Sequence, residues 1–154
     1  MKETLYIVMP TYNEEANIRN VVEEWYPVLE RANDESRLVI SDGGSSDNTL
    51  EVLYELQKIY PKLVVIPKPG TDHGTKVIFL YKYAIEKGAD WIFQTDSDGQ
   101  TLPDEFDAFW NDRVTYDIVM GNRIKRGDGL GRKLVENVLR IYLKIFLGDR
   151  KSVV

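Results

Sequence analysis

Along the chain, short apolar runs alternate with longer stretches in which apolar residues recur every three or four positions. The runs LYIVM from Leu5, RLVIS from Arg37, LVVIP from Leu63, WIFQT from Trp91 and DIVMG from Asp117 are rich in β-branched and aromatic residues and predict strands. Between them, Ala16 to Arg31 sets Ile18, Val21, Val22, Trp25 and Leu29 on one helical face. Asn48 to Tyr60 repeats the pattern with Leu50, Val52, Leu53, Leu56 and Ile59, and Asn48 with Glu51 predicts a capping box. Gly74 to Lys87 reads as a third helix, and Pro103 before Asp104 and Glu105 as the start of a short fourth. Strands alternating with helices predict an α/β domain, a mostly parallel central sheet flanked by helices on both faces.

In such a sheet ligands bind where the carboxyl ends of the strands open into loops, so the residues after each strand matter most. They are PTYNEE from Pro10, DGGSSDNT from Asp42, DSDGQT from Asp96 and GNRIKR from Gly121. Composition narrows what these loops can hold. With 154 residues and 43% hydrophobic content the chain is read as one domain with a core of its own. A net charge of −5 argues against general nucleic-acid binding, because no excess of Lys and Arg is present to neutralise a phosphate backbone. The absence of Cys excludes disulfides and thiolate metal sites. The apolar run after Met1 is too short for a signal peptide or membrane span, and the expected location is the cytoplasm.

Asp96 and Asp98, one residue apart, can direct carboxylate oxygens at one hard cation, and Gln100 can add a carbonyl oxygen. With no His or Cys beside them, Mg²⁺ or Mn²⁺ suits the set, and a nucleoside diphosphate is the natural co-ligand. In DGGSSDNT the glycines let backbone approach a ligand; Asp42 is placed to read a ring N–H of a base, and Asp47 reads better as a helix cap than as a ligand contact. Tyr12 offers a flat face to a base or ribose, Glu14 an acceptor for a ribose hydroxyl, and Pro10 fixes the exit from the first strand. Arg123 is a fork donor suited to phosphate, with Lys125, Arg126 and Arg132 close behind. His73, the only histidine, reads as structural rather than catalytic, and Lys76 as a residue that could touch phosphate.

PTYNE after the first strand, the aspartate of SDGGSSDNT after the second and the paired aspartates of DSDGQ after the fourth resemble the donor-site signature of family-two glycosyltransferases. Within that family, DSDGQ and GNR are similar to segments of the polyprenol-phosphate sugar transferases, of the dolichol-phosphate mannose synthase type. The resemblance implies a Rossmann-like nucleotide-diphospho-sugar transferase (GT-A) fold and transfer of a sugar, with inversion, from a UDP- or GDP-linked donor. It implies that Pro10, Tyr12, Glu14, Asp42, Asp96 and Ser97 contact the donor, with Arg123 and Arg132 on its phosphates. Asp96, Asp98 and Gln100 would hold Mg²⁺ or Mn²⁺, and Asp98 and Arg123 would carry the catalytic charge. The implied acceptor is a polyprenyl phosphate or a growing glycan. Gly43 departs from the family's commoner pattern, which has a second carboxylate there. The chain stops at Val154 before the acceptor-side motifs of such enzymes, so the expectation is a donor-binding domain without its acceptor-side portion. The apolar face of the segment from Leu134 (Leu134, Val138, Leu139, Ile141, Tyr142, Ile145, Phe146) suggests packing within the domain, self-association or peripheral contact with a membrane. The alternatives to this reading are a nucleotide-sugar-binding domain without turnover and a haloacid dehalogenase-type phosphatase, whose aspartate pair normally follows the first strand.

Overall fold

The computed structural model describes residues 3–68, 70 and 72–121. The chain divides into two compact units, Met1–Asp107 and Ala108–Val154. The first is built on four parallel strands, β1 (Leu5–Thr11), β2 (Arg37–Asp42), β3 (Leu63–Pro67) and β4 (Trp91–Gln94), in the order β3-β2-β1-β4. The strand order reverses at β1, so the loops after β1, β2 and β4 open side by side. β1 is buried along its whole length, because a central parallel strand is covered on both faces.

Side chains alternate across the sheet, and each face has its own cover. On one, Tyr6 and Val8 of β1 and Val39 of β2 pack with Leu80 and Ala84 of α3 (His73–Glu86). On the other, Phe93 of β4 meets Trp25 at a ring separation of 5.3 Å and Phe106 at 5.1 Å. Trp25 ends α1 (Ile18–Trp25), and Phe106 begins α4 (Phe106–Asp112). The predicted apolar face Ile18, Val21, Val22, Trp25 and Leu29 is buried throughout, yet it is not one helix. A 3₁₀ segment, Tyr26–Arg31, follows α1 with Pro27 in its first turn. Proline has no N–H for the α-helical bond and clashes with the carbonyl four residues back, which ends the α-helix.

The sheet also accommodates a proline. β1 runs on through Pro10, beyond Val8↔Gln94, the last pair of the β1–β4 ladder. The Pro10 carbonyl accepts from Ser97 Oγ at 3.0 Å. A residue's N–H and C=O point to the same side of a strand, so the missing N–H falls where the ladder has already ended.

Two predicted local features are corrected. α2 (Thr49–Ile59) forms as expected, but the Asn48 side chain makes no cap bond. Asn48 Nδ2 instead donates to Glu15 across the neighbouring loop, so the predicted capping box with Glu51 is absent. The run DIVMG from Asp117 forms no strand. Ile118 and Met120 are 79% and 86% exposed, and without a ladder partner or a covered face an apolar run has nothing to fix it as a strand. Within the second unit, the Arg113 guanidinium lies over the Trp110 ring at 3.9 Å, and Phe109 closely approaches Gly121. The apolar segment from Leu134 lies outside the described residues. Among the described residues no helix is long and apolar enough to cross a membrane.

Candidate functional site

An open cleft of about 470 Å³ lies within the first unit at the carboxyl ends of β1, β2 and β4. Pro10, Thr11, Tyr12 and Glu14 line it from β1, Gly43 from β2, Asp72, His73 and Lys76 from the start of α3, and Asp96, Ser97 and Asp98 from β4.

The loops after β1 and β2 are laced together. Asn13 takes a left-handed backbone (φ 55°), which asparagine tolerates better than most residues. That turn lets its N–H donate to Ser45 Oγ at 2.9 Å while its Oδ1 accepts the Ser46 N–H at 2.8 Å. The Glu14 N–H donates to Thr49 Oγ1, and the Glu15 N–H to Asp47 Oδ2. Glu15 in turn accepts both the backbone N–H and the side-chain amide of Asn48, placing its carboxylate at the amino end of α2. Asp47 accepts from both the hydroxyl and the N–H of Thr49. The Thr49 hydroxyl bond, ahead of the backbone N–H bonds, holds the Asp47 carboxyl below its ordinary range. Asp47 therefore acts as the helix cap that its position suggested.

Asp42 stands at the end of β2 and is 1% exposed. Its Oδ2 accepts the N–H groups of Gly44 and Ser45, and its Oδ1 the Ser45 hydroxyl. The carboxylate shapes the glycine turn from behind, and Asp42 is not among the residues lining the cleft.

α3 brings three side chains to the rim. Asp72 caps the helix, accepting the Thr75 N–H at 2.9 Å and the Thr75 hydroxyl at 2.8 Å; these bonds, backbone first, keep its carboxyl below the ordinary range. His73 Nε2 lies 3.7 Å from Asp96 Oδ1, an ion pair when the imidazole is protonated. Lys76, one turn on, is only 5% exposed. Its Nζ donates to the Thr11 carbonyl at 3.2 Å and lies 5.7 Å from the centroid of the Tyr12 ring.

In the β4 loop, Gly99 takes a left-handed φ of 73° that closes a tight turn. Asp98 Oδ1 accepts the Gln100 N–H there at 2.9 Å. Asp96 Oδ1 has a long bond of 3.4 Å from Gln94. Both carboxylates line the cleft, whereas Gln100 is exposed and does not. Among the described residues no three His, Asp or Glu side chains form a cage for a metal ion. Two carboxylates lining an open cleft are a donor set of the kind that suits Mg²⁺ or Mn²⁺.

Of the sequence-predicted residues, Pro10, Tyr12, Glu14, Asp96, Ser97 and Asp98 thus meet in one cleft. Arg123 and Arg132, like Lys125 and Arg126, lie outside the described residues. Lys76 is the residue to which sequence reasoning gave too little weight. The sequence reads Lys76 as a residue that could touch phosphate, and gives no local signal of its burial against Gly43. A Cβ at that position would come within 2.2 Å of Lys76 Nζ, so the ammonium occupies space that a side chain there would need.

Comparison with known proteins places this geometry. Residues 6–150 match the family described as Glycosyl transferase family 2. The UDP-N-acetylglucosamine–dolichyl-phosphate N-acetylglucosaminyltransferase of Methanococcus voltae is 33% identical over 138 residues, covering 79% of this chain and 52% of that protein. This chain therefore spans about half the length of that curated relative. The glucosyl-3-phosphoglycerate synthase of Mycobacterium tuberculosis, solved with UDP, superposes with a TM-score of 0.61 at 20% identity, over 99% of this chain and 53% of that one. A mannosyltransferase from Pyrobaculum calidifontis, solved with GDP-Man and Mn²⁺, gives 0.56 at 19% identity, over 64% and 28%.

Proposed function

The chain belongs to glycosyl transferase family 2, and from that premise we propose that it is the donor-binding part of a metal-dependent sugar transferase using a UDP- or GDP-linked sugar. Its sheet is that of the nucleotide-diphospho-sugar transferase (GT-A) fold, shared with the neighbours above. The observation that carries the reading is the convergence of Tyr12, Glu14, Asp96 and Asp98 on one cleft at the carboxyl ends of the strands.

In this reading the base lies against Tyr12 and a ribose hydroxyl donates to Glu14. Asp42 contributes by holding the DGGSS turn that the nucleoside approaches. Pro10 and Ser97 join the β1 and β4 sides of the cleft through their shared bond, and the diphosphate lies towards Asp96 and Asp98. Mg²⁺ or Mn²⁺ held by these two carboxylates, with Gln100 swinging in as a further ligand, would supply positive charge to the leaving diphosphate. The Mn²⁺ in the Pyrobaculum calidifontis complex supports that assignment. Arg123 and Arg132 are assigned to the donor phosphates, where a guanidinium fork stabilises charge as it develops. An acceptor oxygen attacks the anomeric carbon, the bond from that carbon to the β-phosphate oxygen breaks, and the nucleoside diphosphate leaves.

The acceptor we favour is a polyprenyl phosphate, on the strength of the Methanococcus voltae relative, whose name gives dolichyl phosphate as its substrate. A phosphate oxygen is already ionised and needs no strong general base, which suits a cleft whose histidine faces an aspartate. Such an acceptor would bring the protein to a membrane surface. The test is transfer of radiolabelled sugar from UDP- and GDP-linked donors to a polyprenyl phosphate in detergent, with Mn²⁺ and with chelator. Metal-dependent labelling of the lipid is expected. Donor binding without transfer under every condition would leave this chain a nucleotide-sugar-binding unit and defeat the transferase reading.

A further inference from the structure

Two Asp-Gly pairs contribute to the cleft, Asp42–Gly43 at the end of β2 through its glycine and Asp98–Gly99 after β4 through its aspartate. In an Asp-Gly pair the side-chain carboxyl is open to attack by the following peptide nitrogen, because glycine has no Cβ to block the approach. Both aspartates fold back onto the N–H two residues on: Asp42 Oδ2 accepts from Gly44 at 2.8 Å, and Asp98 Oδ1 from Gln100 at 2.9 Å. Such a turn lays the carboxyl over the peptide between the two. The pairs differ in what else holds them. The Gly43 N–H donates to the Thr11 carbonyl at 2.9 Å, and the Asp42 carboxylate, 1% exposed, also accepts the N–H and the hydroxyl of Ser45. The Gly99 N–H makes no hydrogen bond among the described residues, and the Asp98 carboxylate accepts only from Gln100 there. Gly99 is exposed and Asp98 half-buried. A Cβ built on Gly99 would meet only Val21, at 4.0 Å, so this peptide has room to turn.

We propose that Asp98–Gly99 is a site of spontaneous isoaspartate formation, and that Asp42–Gly43, the same two residues in the same kind of turn, is protected by its bonds. The Gly99 nitrogen attacks Asp98 Cγ; an N–Cγ bond forms as a Cγ–O bond breaks, and the oxygen leaves as water with the amide proton and the carboxyl proton. The product is a succinimide ring. Water then opens it at either carbonyl. Cleavage of the new N–Cγ bond returns aspartate, whereas cleavage of the original peptide bond leaves the backbone running through Cγ. No oxidant or reductant takes part, and the mass is unchanged. In the isoaspartyl chain the backbone is longer by one atom and the free carboxylate sits directly on Cα, so it is no longer presented to the cleft as the Asp98 carboxylate is. On the donor-site reading, a cation held by Asp98 ties up the oxygen that must leave, and the reaction proceeds only in the unoccupied fraction.

The experiment stores the whole chain for weeks at neutral pH and physiological temperature in chelator, then digests it with trypsin. Cleavage after Arg37, Lys58, Lys87 and Arg113 puts the two pairs on separate peptides, 38–58 and 88–113. Peptide 88–113 should split into two chromatographic peaks of equal mass, with fragmentation locating isoaspartate at Asp98. Peptide 38–58 should carry ~10-fold less or lower, since a buried and bonded segment reacts only through rare openings. Storage in guanidinium chloride should let both pairs rearrange. Mn²⁺ at ~10 times its dissociation constant should slow the reaction at Asp98 by ~10-fold. Equal isoaspartate in the two peptides of the folded chain, or none at Asp98 where the denatured chain forms it, overturns the proposal. Rearrangement at Asp98 that Mn²⁺ leaves unchanged would keep the reactive pair and overturn the assignment of the cation to Asp98 instead.

Discussion

At the β1–β2 end of the cleft, hydrogen bonds run between two loops remote in sequence, from Asn13, Glu14 and Glu15 to Ser45, Ser46, Asp47, Asn48 and Thr49. At the β4 end, Asp98 bonds only its own turn among the described residues, and Asp96 has a long amide contact and lies 3.7 Å from His73, an ion pair when the imidazole is protonated. The first end is fixed by the protein before any ligand arrives. The second presents two carboxylates to the cleft with few bonds to the rest of the protein, which leaves oxygens available to a ligand. Substitutions at the β4 end should therefore change ligand binding and leave stability alone, while substitutions at the β1–β2 end should change stability first.

The largest effect is expected from Asp98→Asn, which removes one charge from the pair proposed to hold the metal. Nucleotide affinity in Mn²⁺ should fall ~10-fold or more, with a urea midpoint close to that of the unmodified chain. A shift in stability of more than ~1 kcal/mol would erase the contrast between the two ends. Next comes Asn13→Ala, which loses both the acceptor for Ser46 and the tolerance for a left-handed backbone, and should cost about 1–2 kcal/mol in urea unfolding. Asn13→Gly restores the backbone freedom and should recover part of that loss, separating the two contributions. Glu15→Ala frees two exposed donors of Asn48 and should cost about 1 kcal/mol; an unaltered midpoint would mean that the loops are not cross-braced by this residue. The smallest effect is on pH. The Asp47 and Asp72 carboxyls sit below their ordinary value of about 3.9. The folded chain thus holds those protons less tightly than the unfolded one, and their stabilisation is present above about pH 4 and lost as pH falls through the lower folded values. Asp72 is exposed and Asp47 half-buried, so the loss should be a small downward bend in melting temperature as pH falls below about 4, reduced in Asp47→Asn and Asp72→Asn.

How much of this was legible in the sequence depends on whether one residue or two decide the feature. β1 to β4 were readable because uninterrupted β-branched runs have few other uses, and the loops after β1, β2 and β4 followed from them. The aspartate pair at Asp96 and Asp98 was readable because its spacing is local. The break at Pro27 carried its own signal, which helical periodicity across Ala16 to Arg31 overrode. The expected strand at Asp117 has the composition of a strand, but pairing is a property of two segments. Asn48 with Glu51 looked like a cap because the rival partner, Glu15, lies far away in sequence. The coupling of Lys76 to Gly43 is likewise a tertiary fact, invisible until α3 is laid against β1 and β2. The assignments of Arg123 and Arg132 rest on the sequence and the family alone.

The central claim is that this cleft binds a nucleoside diphosphate through a metal held by Asp96 and Asp98. Its most direct test is calorimetric titration of UDP and of GDP into the purified chain, first with Mn²⁺ and then with excess chelator. The account predicts saturable binding of at least one nucleotide with the metal and its loss with the chelator. Binding of equal strength in both conditions would contradict it.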